Sequence, residues 1–179
     1  MAGLTPPLFI MGGVAEDLLL GDELDRPHKD LDLLARRGEL EGLTAKLEAM
    51  RLGPLQVVLA DAAGGPLMLR GHAGSLELEI YVALPEPGGF SVEVPAQGPA
   101  GRLRIFQPAD TFDYPATLLD GYSIHTVSPL ALAQMRAASA QTRYVAEKQA
   151  RDLAMLARLR AAFLSAYDDE QLQPRIEPV

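Results

Sequence analysis

Asp30 and Asp32 stand two residues apart in the run Lys29-Asp30-Leu31-Asp32-Leu33. On a strand that spacing sets both carboxylates on one face, a few Å apart, with Leu31 and Leu33 turned to the other. Two like charges that close repel one another, and a divalent cation relieves them. Mg²⁺ is satisfied by one or two protein carboxylates together with phosphate oxygens. Upstream, Gly12-Gly13 lies between an apolar run and a helix-like segment. Glycine lets the backbone approach a phosphate, and a helix opening there aims N–H groups at it. Asp-x-Asp alone is more often a wet strand face, and Gly-Gly alone a tight turn. Together, in this order, they form the layout that holds a nucleoside triphosphate with Mg²⁺ and transfers part of it.

Several elements have to position these residues. Residues 7–11 read as a short buried strand, 14–21 as a helix stopped by Gly21, and 22–29 as a loop around Pro27. Residues 30–35 read as a strand, and 38–50 as an amphipathic helix with Leu40, Leu43, Leu47 and Met50 on one face. The period then changes to two, predicting strands at 55–60, 67–71 and 75–83, with strict alternation in Leu76-Glu77-Leu78-Glu79-Ile80-Tyr81. Residues 84–101, dense in Pro and Gly, read as an irregular excursion with one short strand at 90–94. Further strands are expected at 103–106 and 123–127, with 112–119 as a loop over the site. Ser128-Pro129 is a helix start, Ser as N-cap and Pro at the first helical position. That helix should run to about 140 and a second from about 144 to 167, with Val145, Gln149, Leu153, Leu156, Leu159 and Phe163 in one stripe. The polar tail from Asp168 is expected to fray.

The chain has 179 residues, 16 basic against 24 acidic for a net charge of −8, and no cysteine. The length suits one domain with a real core. The missing cysteines exclude a disulfide, a thiolate metal site and a Cys nucleophile. An acidic balance argues against a nucleic-acid partner, which needs clustered Lys and Arg, and suits a cationic small substrate better. No apolar run reaches the roughly 20 residues of a membrane span. A soluble cytoplasmic protein is the expectation, and the oligomeric state is left open.

Gly12-Gly13-x-Ala15-x-Asp17, then Gly21, then Arg26-x-His28-x-Asp30-x-Asp32 resembles the signature of the polymerase-beta-type nucleotidyltransferase superfamily. Within it the chain is most similar to the aminoglycoside and lincosamide nucleotidyltransferases of antibiotic resistance. The resemblance is strong over residues 8–35 and diffuse elsewhere. It implies an α+β fold: a small mixed β-sheet with helices on one side, plus C-terminal helices closing over the cleft. Residues 1–127 would form the catalytic domain and 128–179 the helical segment packed on it. It also implies that Asp30 and Asp32 bind two Mg²⁺ ions, that a third acid on a neighbouring strand completes the site, and that the Gly12-Gly13 turn holds the triphosphate of an NTP such as ATP.

Alternation cannot choose between Glu77 and Glu79 for the third acid, because both face the same way. The resemblance favours Glu79, which precedes an apolar residue and an aromatic in Glu79-Ile80-Tyr81; relatives commonly carry Asp there. It also gives Lys148, four residues before Asp152-Leu153, a reach toward the phosphates. As a plain i, i+4 pair, Lys148 and Asp152 would be a surface ion pair. Arg26 can contact the triphosphate, while His28 can orient a carboxylate or cap the loop. Asp17 is a supporting group, an acceptor-binding group or a solvated helix residue.

The expectation is therefore an enzyme. It would move a nucleoside monophosphate from NTP to a hydroxyl of a small molecule, an aminoglycoside-type antibiotic among the candidates, with Asp30, Asp32 and Glu79 catalytic. The alternatives are a toxin-type transferase acting on tRNA or protein, and a non-catalytic nucleotide-binding member.

Overall fold

The computed structural model describes residues 7–21, 27–96, 101–119, 121–142 and 145–179. Strand β1 (Phe9–Ile10) leads into helix α1 (Gly12–Leu20), followed by β2 (Asp30–Arg36) and α2 (Leu40–Ala49). Strands β3 (Gln56–Ala60), β4 (Pro66–Ala73), β5 (Leu76–Glu86), β6 (Gly89–Pro95) and β7 (Arg102–Pro108) follow as a meander. After a 3₁₀ turn at Ala109–Phe112 come β8 (Thr117–Leu119), β9 (Tyr122–Thr126), α3 (Pro129–Thr142), α4 (Ala146–Phe163), α5 (Asp169–Leu172) and β10 (Ile176–Pro178).

The strands join into one mixed sheet in the order β10-β7-β6-β5-β2-β1-β9-β8, with β4 beside β5 and β3 beyond it. Its centre is the parallel pair β2 and β5, in a register that sets Asp30 against Glu77 and Asp32 against Glu79. On the other edge β5 meets β4 first, Arg70 facing Glu79, and then β6 through its last residues.

Alternation along β2 builds the core on both faces. Leu33 and Ala35 join Ile80, Val82 and Leu69 against Leu40, Leu43 and Leu47 of α2. Leu34, from the opposite face, packs with Phe9, Ala15 and Phe112 against Leu132 of α3 and Leu159 of α4. Each such fully buried leucine contributes about 1.5–3 kcal/mol. The carboxylates thus share the α1, α3 and α4 face, at the end of β2 where the apolar packing stops. No described helix is long and apolar enough to cross a membrane.

The expected α+β class holds, with five differences from the sequence reading. The helices are not confined to one side, because the alternation of β2 buries leucines on both faces: α2 covers one, and α1, α3 and α4 the other. The Pro- and Gly-rich stretch is not irregular: β5 continues to Glu86, and β6 pairs in register with β7 across seven residue pairs. The buried stripe of α4 runs through Asp152, Leu156 and Leu159, whereas Leu153 is 52% exposed. Pairing of Asp152 with an arginine of α3 rotates the helix so that a carboxylate lies inside. The tail does not fray. Asp168 closes a capping box with Gln171, Leu172 is buried, and β10 pairs antiparallel with β7. Finally, 112–119 does not cover the carboxylates. Phe112 is fixed between the rings of Phe9 and Phe90, and Asp113, Tyr114 and Pro115 line a separate cavity of about 250 Å³.

Candidate active site

Gly12 opens α1 at φ +65°, a conformation glycine adopts without strain. A Cβ at this position would overlap the Asp32 carboxylate. The Met11 amide also donates to the Asp32 carbonyl at 2.9 Å. The start of the helix is therefore pressed directly against the second aspartate. Because the N-terminus of α1 abuts Asp32, the positive end of the helix dipole faces the carboxylates.

Asp30, Asp32 and Glu79 line one cavity of about 390 Å³. Parallel strands lie about 4.8 Å apart, so the Asp32–Glu79 register brings two acids side by side. Asp32 has its pKa pushed up to about 7, first by burial and then by the charges of Asp30 and Glu79, with Arg136 opposing. Among the described residues neither Asp30 nor Asp32 has an ion-pair partner. Glu79 does. Arg70 donates to its Oε1 at 2.5 Å and the Tyr81 hydroxyl to its Oε2 at 2.7 Å. Burial, followed by the charge of Glu79, raises the Tyr81 phenol far above its ordinary value and keeps it a donor. Glu77 is the half-exposed partner of Arg70 Nε at 2.6 Å.

Asp30 and Asp32 suit a hard divalent cation: two adjacent carboxylates, without a cation of their own, whose repulsion a metal would relieve. Glu79 stands beside them but is turned to Arg70 and Tyr81. Among the described residues, no three or more His, Asp or Glu side chains are grouped to hold a metal ion as they stand.

Of the other residues expected here, Gly12 lines the cavity and Gly13 follows it in α1. Arg26 lies outside the described residues. Lys148 is exposed on α4 and is not among the residues lining the cavity. His28 Nε2 meets Asp17 Oδ2 at 2.9 Å, and Asp17 is buried, so this pair ties α1 to the approach to β2.

Two arginines were missed. Arg136 of α3 reaches the cavity and is gripped by Glu16 of α1 through two of its nitrogens and by Asp152 of α4 at 2.8 Å. Burial works against its charge, but Glu16 and then Asp152 outweigh it and raise the guanidinium pKa above the ordinary value. Both acids are almost fully buried. A buried carboxylate needs a partner, yet the sequence offers no spacing that links positions 16, 136 and 152. Arg70 was visible only as a polar residue in a strand; its pairing with Glu79 follows from register.

No protein-family profile and no curated protein sequence matches the chain. Solved structures do. The crystal structure of ANT(2'')-Ia with adenylyl-2''-tobramycin superposes with a TM-score of 0.55 at 20% identity, over 90% of this chain and 89% of that one. The solution structure of the antibiotic-resistance factor ANT(2'')-Ia gives 0.54 at 21% identity, over 90% and 83%. The chain has the nucleotidyltransferase fold. The lincomycin-bound lincosamide antibiotic adenylyltransferase LnuA matches at 0.50 and 18% identity, over 85% of this chain and 86% of that one. In the nucleotidyltransferase fold of this chain, α1 and β2 carry the signature residues, and α3 forms the wall facing them.

Proposed function

We propose that the protein is an Mg²⁺-dependent nucleotidyltransferase that moves a nucleoside monophosphate from an NTP to a hydroxyl of a small molecule. One observation carries the reading. The glycine that opens α1 touches the Asp32 carboxylate so closely that a methyl group has no room. A phosphate held at the helix start would therefore adjoin the aspartate pair. The fold shared with antibiotic-modifying enzymes supports the same class of reaction, with an aminoglycoside- or lincosamide-type acceptor.

In this reading the amides at the start of α1, with Arg26, receive the triphosphate, and Lys148, outside the cavity lining, would have to reach in from the exposed side of α4 to join them. Asp30 and Asp32 would hold the divalent ions, two by the family pattern, with Glu79 as third acid; the metal would neutralise the triphosphate and polarise the transferred phosphoryl group. Glu79, once released by Arg70, would ligate the second metal or take the proton of the acceptor hydroxyl. Tyr81 orients Glu79 by its hydrogen bond. Apolar side chains of β6, β7 and α3 (Val94, Ile105, Leu132, Met135) wall the cavity. There they exclude water and strengthen each charge interaction. Catalysis by positioning and electrostatics needs little beyond these groups. Residues 1–127 act as the catalytic unit and 128–179 as the helical segment completing the cleft, in a protein of the cytoplasm.

The test is product detection by mass spectrometry, with each of the four NTPs and Mg²⁺, and with tobramycin and lincomycin as acceptors. A nucleotidyl adduct with pyrophosphate release supports the reading, and no adduct with any pair counts against it. Engagement of Glu79 by Arg70 and Tyr81 favours one other reading, a nucleotide-binding member without catalysis. Tight NTP binding without turnover would select it.

A further inference from the structure

Both oxygens of Glu79 are held by internal donors. Arg70 stands opposite it on β4 and forks between Glu77 at 2.6 Å and Glu79 at 2.5 Å, while Tyr81 covers the other oxygen at 2.7 Å. The two aspartates beside it carry no such cation among the described residues. The acids of the cavity are thus unequally served: Glu79 shares the Arg70 guanidinium with Glu77, while Asp30 and Asp32 have no described arginine at ion-pair distance and Asp32 feels Arg136 only from farther off. A carboxylate oxygen keeps a second lone pair after accepting one hydrogen bond. Geometry alone would therefore admit a metal at Glu79. The charge does not, because a guanidinium at ion-pair distance repels a second cation approaching the same oxygens. Arg70 is also 44% exposed in its side chain, so it has solvent-side room to move.

We propose that Arg70 is the internal counter-ion of Glu79, a positioning residue that withholds the third carboxylate from free divalent ions and yields it when a metal arrives with a polyphosphate. This rests on the reading of Asp30, Asp32 and Glu79 as the metal-holding acids. A metal arriving alone offers Arg70 nothing in exchange for Glu79. A metal–triphosphate complex does, because its phosphate oxygens provide a new anionic partner for a guanidinium, matched by geometry as well as charge. Metal and nucleotide then bind as one event. The linkage is reciprocal: the factor by which the metal strengthens nucleotide binding is the factor by which the nucleotide strengthens metal binding. Glu77 keeps Arg70 within reach and resets the pair after release. Asp30 and Asp32 alone would then hold free metal weakly.

The experiment is a Mn²⁺ titration of the nucleotide-free protein, with free Mn²⁺ read by electron paramagnetic resonance. It compares the parent chain, R70Q, R70K and R70Q/E79Q. The expected result is that R70Q binds Mn²⁺ about tenfold more tightly than the parent, within the usual range for coupled sites. R70K, which keeps the charge, stays close to the parent, and R70Q/E79Q loses the gain. Unchanged or weaker Mn²⁺ binding in R70Q, a gain that survives E79Q, or no binding in any variant overturns the proposal. Calorimetry of ATP binding to the same proteins separates this outcome from the functional reading. A Mn²⁺ gain in R70Q without ATP binding sinks the transferase and leaves the counter-ion role standing.

Discussion

Gly12 and Asp32 share one space: the left-handed turn that opens α1 is filled by the carboxylate from β2, leaving no room for a Cβ. Gly21, at the other end of the same helix, has a nearly equal φ of +68°, but a Cβ there meets no described atom within 4 Å. The pair is a built-in control. Gly12→Ala and Gly21→Ala should each lose about 1–2 kcal/mol from the left-handed backbone. Only Gly12→Ala should displace Asp32 and weaken Mg²⁺-dependent ATP binding, by about tenfold or more for a misplaced site. Thermal unfolding and calorimetry on both variants check this.

Asp32 should make the metal-free protein less stable as the pH rises. Its pKa moves from 3.8 to about 7 on folding. Between those values the folded chain holds a proton that the unfolded chain has lost. The contribution is full below about pH 4 and disappears as the pH rises through 7. Denaturant unfolding in chelator between pH 4 and 8 should show a decline of the order of 4 kcal/mol from this group, and Asp32→Asn should flatten it.

Arg136 is the common partner of two buried acids from different helices. Arg136→Met takes the guanidinium from Glu16 and from Asp152 together, and the expected loss is about 3–5 kcal/mol in urea unfolding. The triple replacement Glu16→Gln, Arg136→Met, Asp152→Asn should recover much of it. A loss that is the same in the triple variant would mean that packing, rather than charge, accounts for the cost.

The C-terminal tail is a folded edge. Asp168→Ala removes the cap that accepts from the Gln171 amide at 2.8 Å and should cost about 1 kcal/mol. Amide hydrogen exchange at residues 176–178 reports whether β10 opens as a result.

The local features of this fold were readable in the sequence because they obey short periods. Alternation placed Glu77 and Glu79 on one face, the leucine spacing set α2, and Gly21 ended α1 as its left-handed C-cap. Gly12, Asp30, Asp32 and Glu79 do meet at one cavity. What escaped depends on partners distant in the chain. Asp152 is inside α4 because Arg136 arrives from α3, which no pattern within α4 announces. The stretch 84–95 forms strands because β7 and β10 extend the sheet alongside it, overriding its Pro and Gly. Arg70 acquired its meaning only when register set it against Glu79.

On the proposed function, Asp30 and Asp32, beside the α1 turn, hold a metal-bound triphosphate. Calorimetric titration of ATP, GTP, CTP and UTP, with Mg²⁺ and with chelator, on the parent chain and on Asp30→Asn/Asp32→Asn, tests it most directly. At least one NTP should bind with Mg²⁺, and that binding should be lost in chelator and in the double variant. Equal binding without Mg²⁺, or binding undiminished by the double substitution, would contradict it.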